Sequence, residues 1–440
     1  MRIDRPEAPS TGIARFSDPN RMLSGQKIPT YALDTYKSDW HDSKTMLGED
    51  SVSRAGIDST GDLLSLIRSG EANTRGQLIE ITGLARSTVA HRLDALISSG
   101  LVVEAGEAES TGGRPPTLLG FNDSAGVVLV ADFGATHSRI AITNLGATTI
   151  VDQTVEIDIN TGPEEVLGWL EEAFEELLAR SGHTRGEVKG VGVGLPGPVD
   201  FDRGMAVHPP IMAGWHEYPV AKRLRERFGV PVLVDNDVNI MALGEQWVMS
   251  PRVADFIYVK VGTGIGSGLI LGGEIHRGAH GAAGDIGHVR AASDEVVCRC
   301  GNNGCLEAAA GGAAIASSLG LTGSRDVVQA VREGDKDASR AVREAGRLIG
   351  QVLASTVNLL NPALIIMGGD IAAAEQQLLA GIREVVYRRS TALSTTDLQI
   401  TTTNLGDRAG VTGAAAMVID HLLAPASITS ALADNGRLTL

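Results

Sequence analysis

The alternation of short apolar runs with amphipathic helical segments after residue 126 constrains this chain more than any other feature. Val127–Ala131 is a continuous apolar run of the kind that forms a buried strand. Pro163 opens a helical segment whose apolar face is Val166, Leu167, Leu170, Phe174, Leu177 and Leu178. Further short strands are predicted at 190–194, 232–234, 256–261, 267–271 and 364–367. Strands that alternate with helices predict an α/β protein with central sheets covered on both faces, and about 300 residues of this pattern are enough for two lobes.

Composition limits the class of protein. The chain has 440 residues, too many for one ordinary core, and its 43 % hydrophobic content is typical of globular proteins. The first residues lack the apolar segment of a secretion signal, and no apolar run reaches the roughly 18 residues that cross a bilayer, so we expect a cytoplasmic protein without a membrane partner. The formal net charge of −15 disfavours DNA binding by the whole surface, so any DNA contact must come from a local patch.

Four segments are predicted along the chain. Residues 1–57 have no sustained helical or strand period and are expected to form a flexible extension. Residues 58–121 form a head, which includes a linker at 111–116 stiffened by two prolines. Residues 126–424 form the two-lobed body, and 425–440 a C-terminal tail.

The head has the helix order of a helix-turn-helix. Gly83 supplies a tight turn between two predicted helices. In the second helix Val89, Leu93 and Leu96 share the inward face. The outward face carries short polar and cationic side chains that can reach base edges and phosphates in a major groove, and these are Arg86, Ser87, Thr88, His91 and Arg92.

Two predicted strands, Leu101–Glu104 and Thr117–Phe121, follow as a wing and complete a winged helix-turn-helix. Arg114 stands beside two glycines, where it either enters a minor groove or is a plain linker residue. The alternative for the whole head is a helical hairpin with a solvated polar face. The head holds five arginines and eight acidic residues, so it is not broadly basic and its DNA contacts would concentrate on one helix.

One histidine and the three cysteines of the chain form the strongest local signal. His288 is followed, after nine intervening residues, by Cys298, Cys300 and Cys305. One imidazole and three thiolates suit tetrahedral Zn²⁺ in a closed structural site. Gly301 and Gly304 allow the backbone to fold back so that the sulfurs meet, whereas three unrelated cysteines beside a core histidine would not require glycine at both turns.

Polar and small residues follow several predicted strands. The segments Asp132–Thr136, Gly262–Gly266 and Gly368–Gly369 are turns that can present backbone N–H groups to phosphate oxygens, although a plain glycine-rich turn explains each one alone. Asp235-Asn236-Asp237 ends another strand. A carboxylate there can accept the proton of a sugar hydroxyl, and an Asx-rich turn that caps a helix from Ile240 is an equally good explanation.

From Val127 to Ile419 the chain resembles the ROK family (repressors, open reading frames and kinases), whose fold is the duplicated actin-like ATPase, or ribonuclease H-like, fold. The matching segments follow the family's order: Asp132–Thr136, Gly192–Asp200, Asn236-Asp237, Gly262–Gly266, Gly284–His288, Cys298–Glu307 and Asn361–Gly369. The head together with Gly112–Pro115 resembles the transcriptional-regulator branch of the family.

The resemblance implies roles for individual residues. Sugar contacts are implied for Asn236, Asp237, Asp285, His288 and Glu307, with Asp237 as the catalytic base in kinases. ATP phosphate contacts, with Asp132 helping to position Mg²⁺, are implied for Asp132, Gly134, Thr136, Gly262, Thr263, Gly264, Gly266, Gly368 and Gly369. His288 would both bind zinc and touch the sugar.

Four positions depart from the pattern of the family's kinases. Ala135 stands where a second glycine is usual, His137 where lysine is frequent, Asp285 where kinases have glutamate, and Asp370 where a third glycine is frequent. These changes weaken the expectation of ATP binding more than that of sugar binding.

Two functions are therefore compared. The favoured one is a sugar-responsive DNA-binding repressor of carbohydrate-metabolism genes, which binds a pseudo-palindromic operator as a homodimer or homotetramer and carries structural zinc. The alternative is an ATP-dependent hexose kinase that uses Asp237 as its base together with ATP and Mg²⁺.

Overall fold

The computed structural model describes residues 58–107, 115–135 and 137–433. The predicted extension 1–57, most of the predicted linker with Arg114, and Thr136 lie outside the described residues.

Strands and helices alternate after residue 126, as the sequence predicts. The helices are α1 (Thr60–Ser69), α2 (Arg75–Thr82), α3 (Arg86–Ser98), α4 (Pro163–Ser181), α5 (Val220–Phe228), α6 (Asp237–Val248), α7 (Leu306–Ala310), α8 (Gly312–Ser318), α9 (Ser324–Arg332), α10 (Lys336–Leu360), α11 (Glu375–Arg389), α12 (Ala392–Thr395), α13 (Ala409–Leu422) and α14 (Pro425–Ala433). The strands are β1 (Val102–Glu107), β2 (Thr117–Phe121), β3 (Val127–Phe133), β4 (Ser138–Asn144), β5 (Thr149–Val155), β6 (Val188–Leu195), β7 (Val199–Asp200), β8 (Met205–Ala206), β9 (Val232–Asn236), β10 (Phe256–Val261), β11 (Ile265–Leu271), β12 (Glu274–Ile275), β13 (Leu364–Gly368) and β14 (Gln399–Thr402).

The described part of the head consists of three helices and an antiparallel pair of strands. α1 begins at a capping box formed by Ser59 and Asp62. Gly83, with a φ of 68°, ends α2 and turns the chain towards α3. β1 and β2 pair with each other along their length. The elements follow the order that the sequence predicts for the head.

The first lobe is built on a five-stranded sheet in the order β5-β4-β3-β6-β9. β4 pairs antiparallel with β3 and with β5, whereas β6 pairs parallel with β3 and β9 pairs parallel with β6. α4 and α5 cover the sheet, and the apolar face predicted for α4 is buried in this core. The buried helix face and the all-buried β3 place the core of the lobe where the sequence pattern does.

The second lobe repeats this topology. Its sheet has the order β12-β11-β10-β13-β14, again with three antiparallel strands followed by two parallel ones. α10 and α11 contribute the apolar residues that pack on this sheet. The repeated topology confirms the predicted duplicated actin-like ATPase fold.

Two edge strands, β5 and β14, are not predicted from the sequence pattern. β5 consists of exposed and half-buried residues with none fully buried, and β14 has only four residues, one of them buried. β5 and β14 are covered on fewer sides than the central strands β3 and β10, so they lack the apolar runs that indicate those strands in the sequence.

Two helices, α6 and α13, cross between the lobes with their backbones in close contact. An ideal Cβ on Gly413 would lie 1.6 Å from the Ile240 carbonyl oxygen, and one on Gly244 would lie 2.2 Å from that of Ala409. Only glycine permits backbones to approach so closely. The crossing fixes the two connections between the lobes against each other.

The head shares an apolar core with the body. Buried residues of α1 and α3 belong to the same cluster as Val411 and Val418 of α13 and Ile428 of α14. The segment predicted as a tail thus begins with a packed helix. Among the described residues no single helix is long and apolar enough to cross a membrane, and only the bent pair Gly406–Leu422 and Pro425–Leu432 reaches that length and composition together.

Candidate functional site

A cleft of about 490 Å³ is lined by residues of both lobes. All five residues for which sugar contacts are predicted line it: Asn236, Asp237, Asp285, His288 and Glu307. Most of the described residues predicted to contact the nucleotide also line it: Asp132, Gly134, Gly262, Thr263, Gly264, Gly266 and Gly369. Gly368 packs instead against Tyr258, whose hydroxyl oxygen would lie 1.8 Å from a Cβ at that position. The fold therefore gathers into one cavity residues that are distant in sequence.

Asn236 and Asp237 lie where β9 passes into α6. The Asn236 Oδ1 atom accepts hydrogen bonds from the N–H groups of Val238 at 3.0 Å and Asn239 at 3.3 Å, so Asn236 is the N-cap of the helix. Its Nδ2 group donates to the Gly197 carbonyl at 2.9 Å. The helix starts at Asp237 rather than at Ile240, and Asn236 both caps it and lines the cleft.

Behind this pair, Asp235 is only 1 % exposed. It accepts hydrogen bonds from the Asn236 N–H at 2.7 Å and from the Asn239 side chain at 2.8 Å. Arg277 donates to its other oxygen at 2.8 Å and stacks on Phe201 at 3.7 Å. Asp235 thus holds the start of α6 in place, which orients Asn236 and Asp237 at the cleft.

The predicted metal ligands converge. The ligand atoms of His288, Cys298, Cys300 and Cys305 all lie within 4.8 Å of one another. The Cys300 and Cys305 sulfurs are 3.7 Å apart, and Cys298 Sγ is 3.7 Å from His288 Nδ1. Two thiolates on a tetrahedral zinc with Zn–S bonds of ~2.3 Å would lie about 3.8 Å apart, so the donor set and its spacing fit Zn²⁺.

Backbone conformation brings the sulfurs together. Gly301 and Gly304 have φ values of 92° and 75°, in the left-handed region that side chains disfavour. A Cβ on Gly304 would lie 2.6 Å from the Ala292 carbonyl oxygen, so this turn also requires glycine for space. The two glycines therefore have the turn role that the sequence predicts for them.

Glu307 connects the metal cluster to the cleft. It lies in the first turn of α7, two residues after Cys305 at the helix N-cap. Its Oε2 atom accepts a hydrogen bond of 3.1 Å from the Ile265 N–H, and a Cβ on Gly264 would lie 2.2 Å from the same atom. Asp285 and His288 are held by a short 3-10 turn, Ile286–His288, in which Asp285 is the N-cap and His288 the last residue. Burial raises the pKa of Asp285, and the nearby His288 opposes that rise.

In two of the glycine-rich turns, a backbone N–H group donates a hydrogen bond within the turn. The Gly134 N–H donates to the His137 carbonyl at 3.0 Å, and the Gly262 N–H donates to the Gly264 carbonyl at 3.0 Å. The carbonyl of Gly262 also accepts from the Gly312 N–H at 2.8 Å. These donors are engaged within the protein, so they do not point to a phosphate in the described conformation.

Lys260 is a cleft residue that the sequence reasoning missed. Its Nζ atom lies 2.5 Å from Asp237 Oδ2, and both side chains line the cavity. The available signal was a single lysine within the otherwise apolar run 256–261. A charge on a buried strand needs a partner, and a partner in a cleft indicates function.

Asp132 also has an unusual environment. Burial raises its pKa to about 7, and the positive charge of Lys260 opposes that rise. An ideal Cβ on Gly410, in the first turn of α13, would lie 1.9 Å from Asp132 Oδ2. The start of α13 is therefore packed against a carboxyl group of the cleft.

The other end of α13 reaches the head. Asp420 forms an ion pair with Arg68 of α1 at 2.8 Å, and Arg68 lies over the Trp247 ring at 5.0 Å. Pro425, which opens α14, abuts Gly61 so closely that a Cβ on Gly61 would lie 2.2 Å from the Pro425 carbonyl oxygen. One helix thus contacts the cleft at one end and the head at the other.

The candidate DNA-contacting residues lie on α3. Val89, Leu93 and Leu96 are buried, as predicted. Arg86, Ser87 and His91 are exposed, whereas Thr88 and Arg92 are half-buried. The Arg92 guanidinium donates to the Asp58 carbonyl within the head.

Two lobes of repeated topology around a polar cleft, joined to a head of three helices and an antiparallel strand pair, define a protein of the actin-like ATPase fold. The model of the ROK family matches residues 128–421. The chain belongs to the ROK family.

Known relatives include regulators and kinases. The xylose repressor of Caldicellulosiruptor bescii is 32 % identical over 381 residues, which cover 82 % of this chain and 95 % of that protein. The crystal structure of a ROK family transcriptional regulator, a homologue of the E. coli MLC protein, covers 86 % of this chain and 98 % of its own, with a TM-score of 0.73 and 24 % identity. A ROK family glucokinase from Streptomyces griseus in complex with glucose and AMPPNP covers 66 % of this chain and 99 % of its own, with a TM-score of 0.57 and 28 % identity. The likeness to the regulators extends over more of this chain.

Proposed function

We propose that this chain is a sugar-responsive DNA-binding transcriptional regulator that represses genes of carbohydrate metabolism. The observation that carries the proposal is the position of α13. Its first turn packs on Asp132 in the cleft, and its last turn is paired with Arg68 in the head. A ligand that changes the closure of the lobes would therefore act on the head through one rigid element.

The head, residues 58–121, is proposed as the DNA-binding domain. α3 would lie in a major groove with Arg86, Ser87 and His91 towards the bases, because these residues are exposed on a helix whose opposite face is buried. Thr88, Arg92 and Arg114 would contribute phosphate or groove contacts. Two heads of a homodimer or homotetramer would read a pseudo-palindromic operator.

The body, residues 126–424, is proposed as the sugar-binding domain. Asn236, Asp237, Asp285, His288 and Glu307 would bind the hydroxyl groups of a sugar or sugar derivative, because their amide, carboxylate and imidazole groups meet in one cleft. His288, Cys298, Cys300 and Cys305 would hold a structural zinc ion. The likeness to xylose repressors makes a pentose a suitable first ligand to test.

The alternative is an ATP-dependent sugar kinase with Asp237 as its base. Asp237 stands at the edge of the cleft as such a base would, but its Oδ2 atom is already paired with Lys260. The ammonium group therefore occupies the oxygen that would accept the proton of a sugar hydroxyl. The engaged N–H groups of Gly134 and Gly262 also leave fewer donors for phosphates.

A gel shift with the DNA upstream of the chain's own gene, run beside a coupled ADP-release assay over a sugar panel, separates the two functions. The regulator shifts the DNA, one sugar changes the shift, and no ADP is released. Sugar-dependent ADP release that Asp237→Asn abolishes would establish the kinase instead. A zinc-loaded protein that shifts no DNA contradicts the regulator.

A further inference from the structure

Lys260 carries a positive charge inside the cleft. It is the only charged residue of β10, and its side chain and that of Asp237 are 20 % and 6 % exposed. Burial disfavours the charged form of Lys260, but the carboxylates of Asp237 and Asp132 outweigh burial and raise the pKa of the lysine. Lys260 is therefore a fixed ammonium group at neutral pH.

Asp132, on β3 of the first lobe, also lines the cleft and has an unsatisfied oxygen. The residue is 8 % exposed, and among the described residues no hydrogen-bond donor reaches its Oδ1 atom. The Lys260 charge favours the ionised form of Asp132, whereas burial and Asp237 oppose it. A buried carboxyl group of this kind needs a nearby counter-charge when it ionises, and Lys260 supplies it.

We infer that Lys260 takes the place of a divalent cation between Asp132 and Asp237 and thereby closes the cleft to Mg²⁺ and to a nucleotide carried by it. This inference rests on the proposed function, since it explains how a kinase-like cleft serves a regulator. A divalent cation bound by the Asp132 and Asp237 carboxylates would lie beside the Lys260 ammonium group, which already neutralises Asp237. The ammonium group would repel the cation, and the paired Asp237 would attract it less.

The lobe that carries Lys260 presents a further group that is unsuited to a nucleotide, because Asp370 follows Gly368, the residue that pairs with Lys260 between β10 and β13, by two residues. Asp370 lines the cleft directly after Gly369 and accepts a hydrogen bond of 2.6 Å from the Ser324 hydroxyl. Arg325 lies 3.8 Å from its other oxygen. The carboxylate thus already occupies donors that a phosphate would use, and its negative charge repels one.

Mn²⁺ titration followed by electron paramagnetic resonance tests the inference on the zinc-loaded full chain. Bound zinc keeps the thiolates occupied, and Mn²⁺ prefers oxygen ligands. Lys260→Gln removes the ammonium and is expected to bind Mn²⁺ at least about tenfold more tightly than the unchanged chain. Lys260→Arg keeps the charge and gains nothing, and adding Asp132→Asn to Lys260→Gln abolishes the gained site.

Thermal unfolding and zinc content show whether each variant is folded. If Lys260→Gln is not folded, Lys260→Met is a second uncharged replacement. The inference is overturned if folded Lys260→Gln binds Mn²⁺ no more tightly than the wild-type chain. If only Lys260→Met is folded, the same result for that variant overturns it. Failure of this inference is distinguishable from failure of the proposed regulator role, because the regulator role is tested by the gel shift and the ADP-release assay and not by Mn²⁺ binding.

Discussion

The carboxylate of Glu307 accepts a hydrogen bond of 3.1 Å from the backbone N–H of Ile265. Glu307 follows Cys305 by two residues, and Ile265 belongs to the glycine-rich turn Gly262–Gly266. The bond therefore ties the metal cluster to the wall of the cleft. A sugar that binds Glu307 would depend on a carboxylate whose position is set by the cluster on one side and the turn on the other.

Removal of zinc is expected to abolish the response to sugar before it affects DNA binding. His288 and Glu307 would lose their positions, whereas α3 lies on a separate core that does not contain the cluster. Structural zinc contributes on the order of 10–16 kcal/mol in small domains, so the loop should unfold locally without it. A chelator titration followed in parallel by zinc release, operator gel shift and the effect of sugar on that shift measures the order of loss. Restoration by added Zn²⁺ is the control, and simultaneous loss of both activities contradicts the prediction.

Arg86→Ala and Arg92→Ala are expected to weaken operator binding, by about 1–3 kcal/mol for a base contact, without changing sugar affinity. Arg86 is exposed on α3, so its removal should cost DNA contacts alone. Arg92 also bonds the Asp58 carbonyl, so its removal should lower head stability as well. Gel shift and sugar titration check both variants. Arg340→Ala, an equally cationic surface change on α10, is the control, and equal DNA affinity of all three variants would show that the recognition helix lies elsewhere.

Gly61→Ala is expected to uncouple the head from the body. A Cβ at Gly61 would meet the backbone of Pro425 at 2.2 Å, so α14 must move away from α1. Gly76→Ala on α2 is the matched control, because the nearest atom to its Cβ is 3.9 Å away and alanine favours a helix by up to about 1 kcal/mol. The ratio of operator affinities with and without sugar, together with thermal unfolding, measures the effect. A Gly61→Ala variant that matches Gly76→Ala in both would mean that the contact carries no coupling.

Because of Asp132, the free energy of unfolding of the chain is expected to fall as pH rises from about 4 to 7. Its pKa is raised from 3.8 to about 7 in the folded chain, so the folded state holds a proton that the unfolded state has lost in this range. The effect is on the order of a few kcal/mol, and it is complete above pH 7. Lys260, Asp237, Arg139 and Asp407 are the charged groups that influence it.

The measurement is the difference in Tm between Asp132→Asn and the unchanged chain, taken from pH 5 to pH 8. The Tm of Asp132→Asn should rise relative to that of the unchanged chain as pH rises, because asparagine cannot ionise. Asp202→Asn, at an exposed position, is the control and should show no such trend. A difference for Asp132→Asn that stays constant with pH would show that Asp132 is ionised throughout.

The sequence by itself predicted the features whose causes are local. The metal ligands lie between positions 288 and 305, and the buried face of α3 repeats within thirteen residues. β3 begins with the apolar run 127–131, and β10 is apolar apart from Lys260. In each of these the residues that must meet are close along the chain, so spacing and residue type suffice to place them. The order of such segments also carried the resemblance to the ROK family.

Only the tertiary structure brought together residues that are far apart in sequence. Lys260 meets Asp237 across 23 positions and two elements, and Gly61 donates to Thr429 across 368 positions. No periodicity encodes such pairs, because they depend on how sheets and crossing helices pack rather than on local conformation. The same holds for Asn236, whose roles as helix cap and cleft residue were alternatives in the sequence and are combined in the structure. The tertiary structure therefore decided how the cleft is charged and how it is connected to the head.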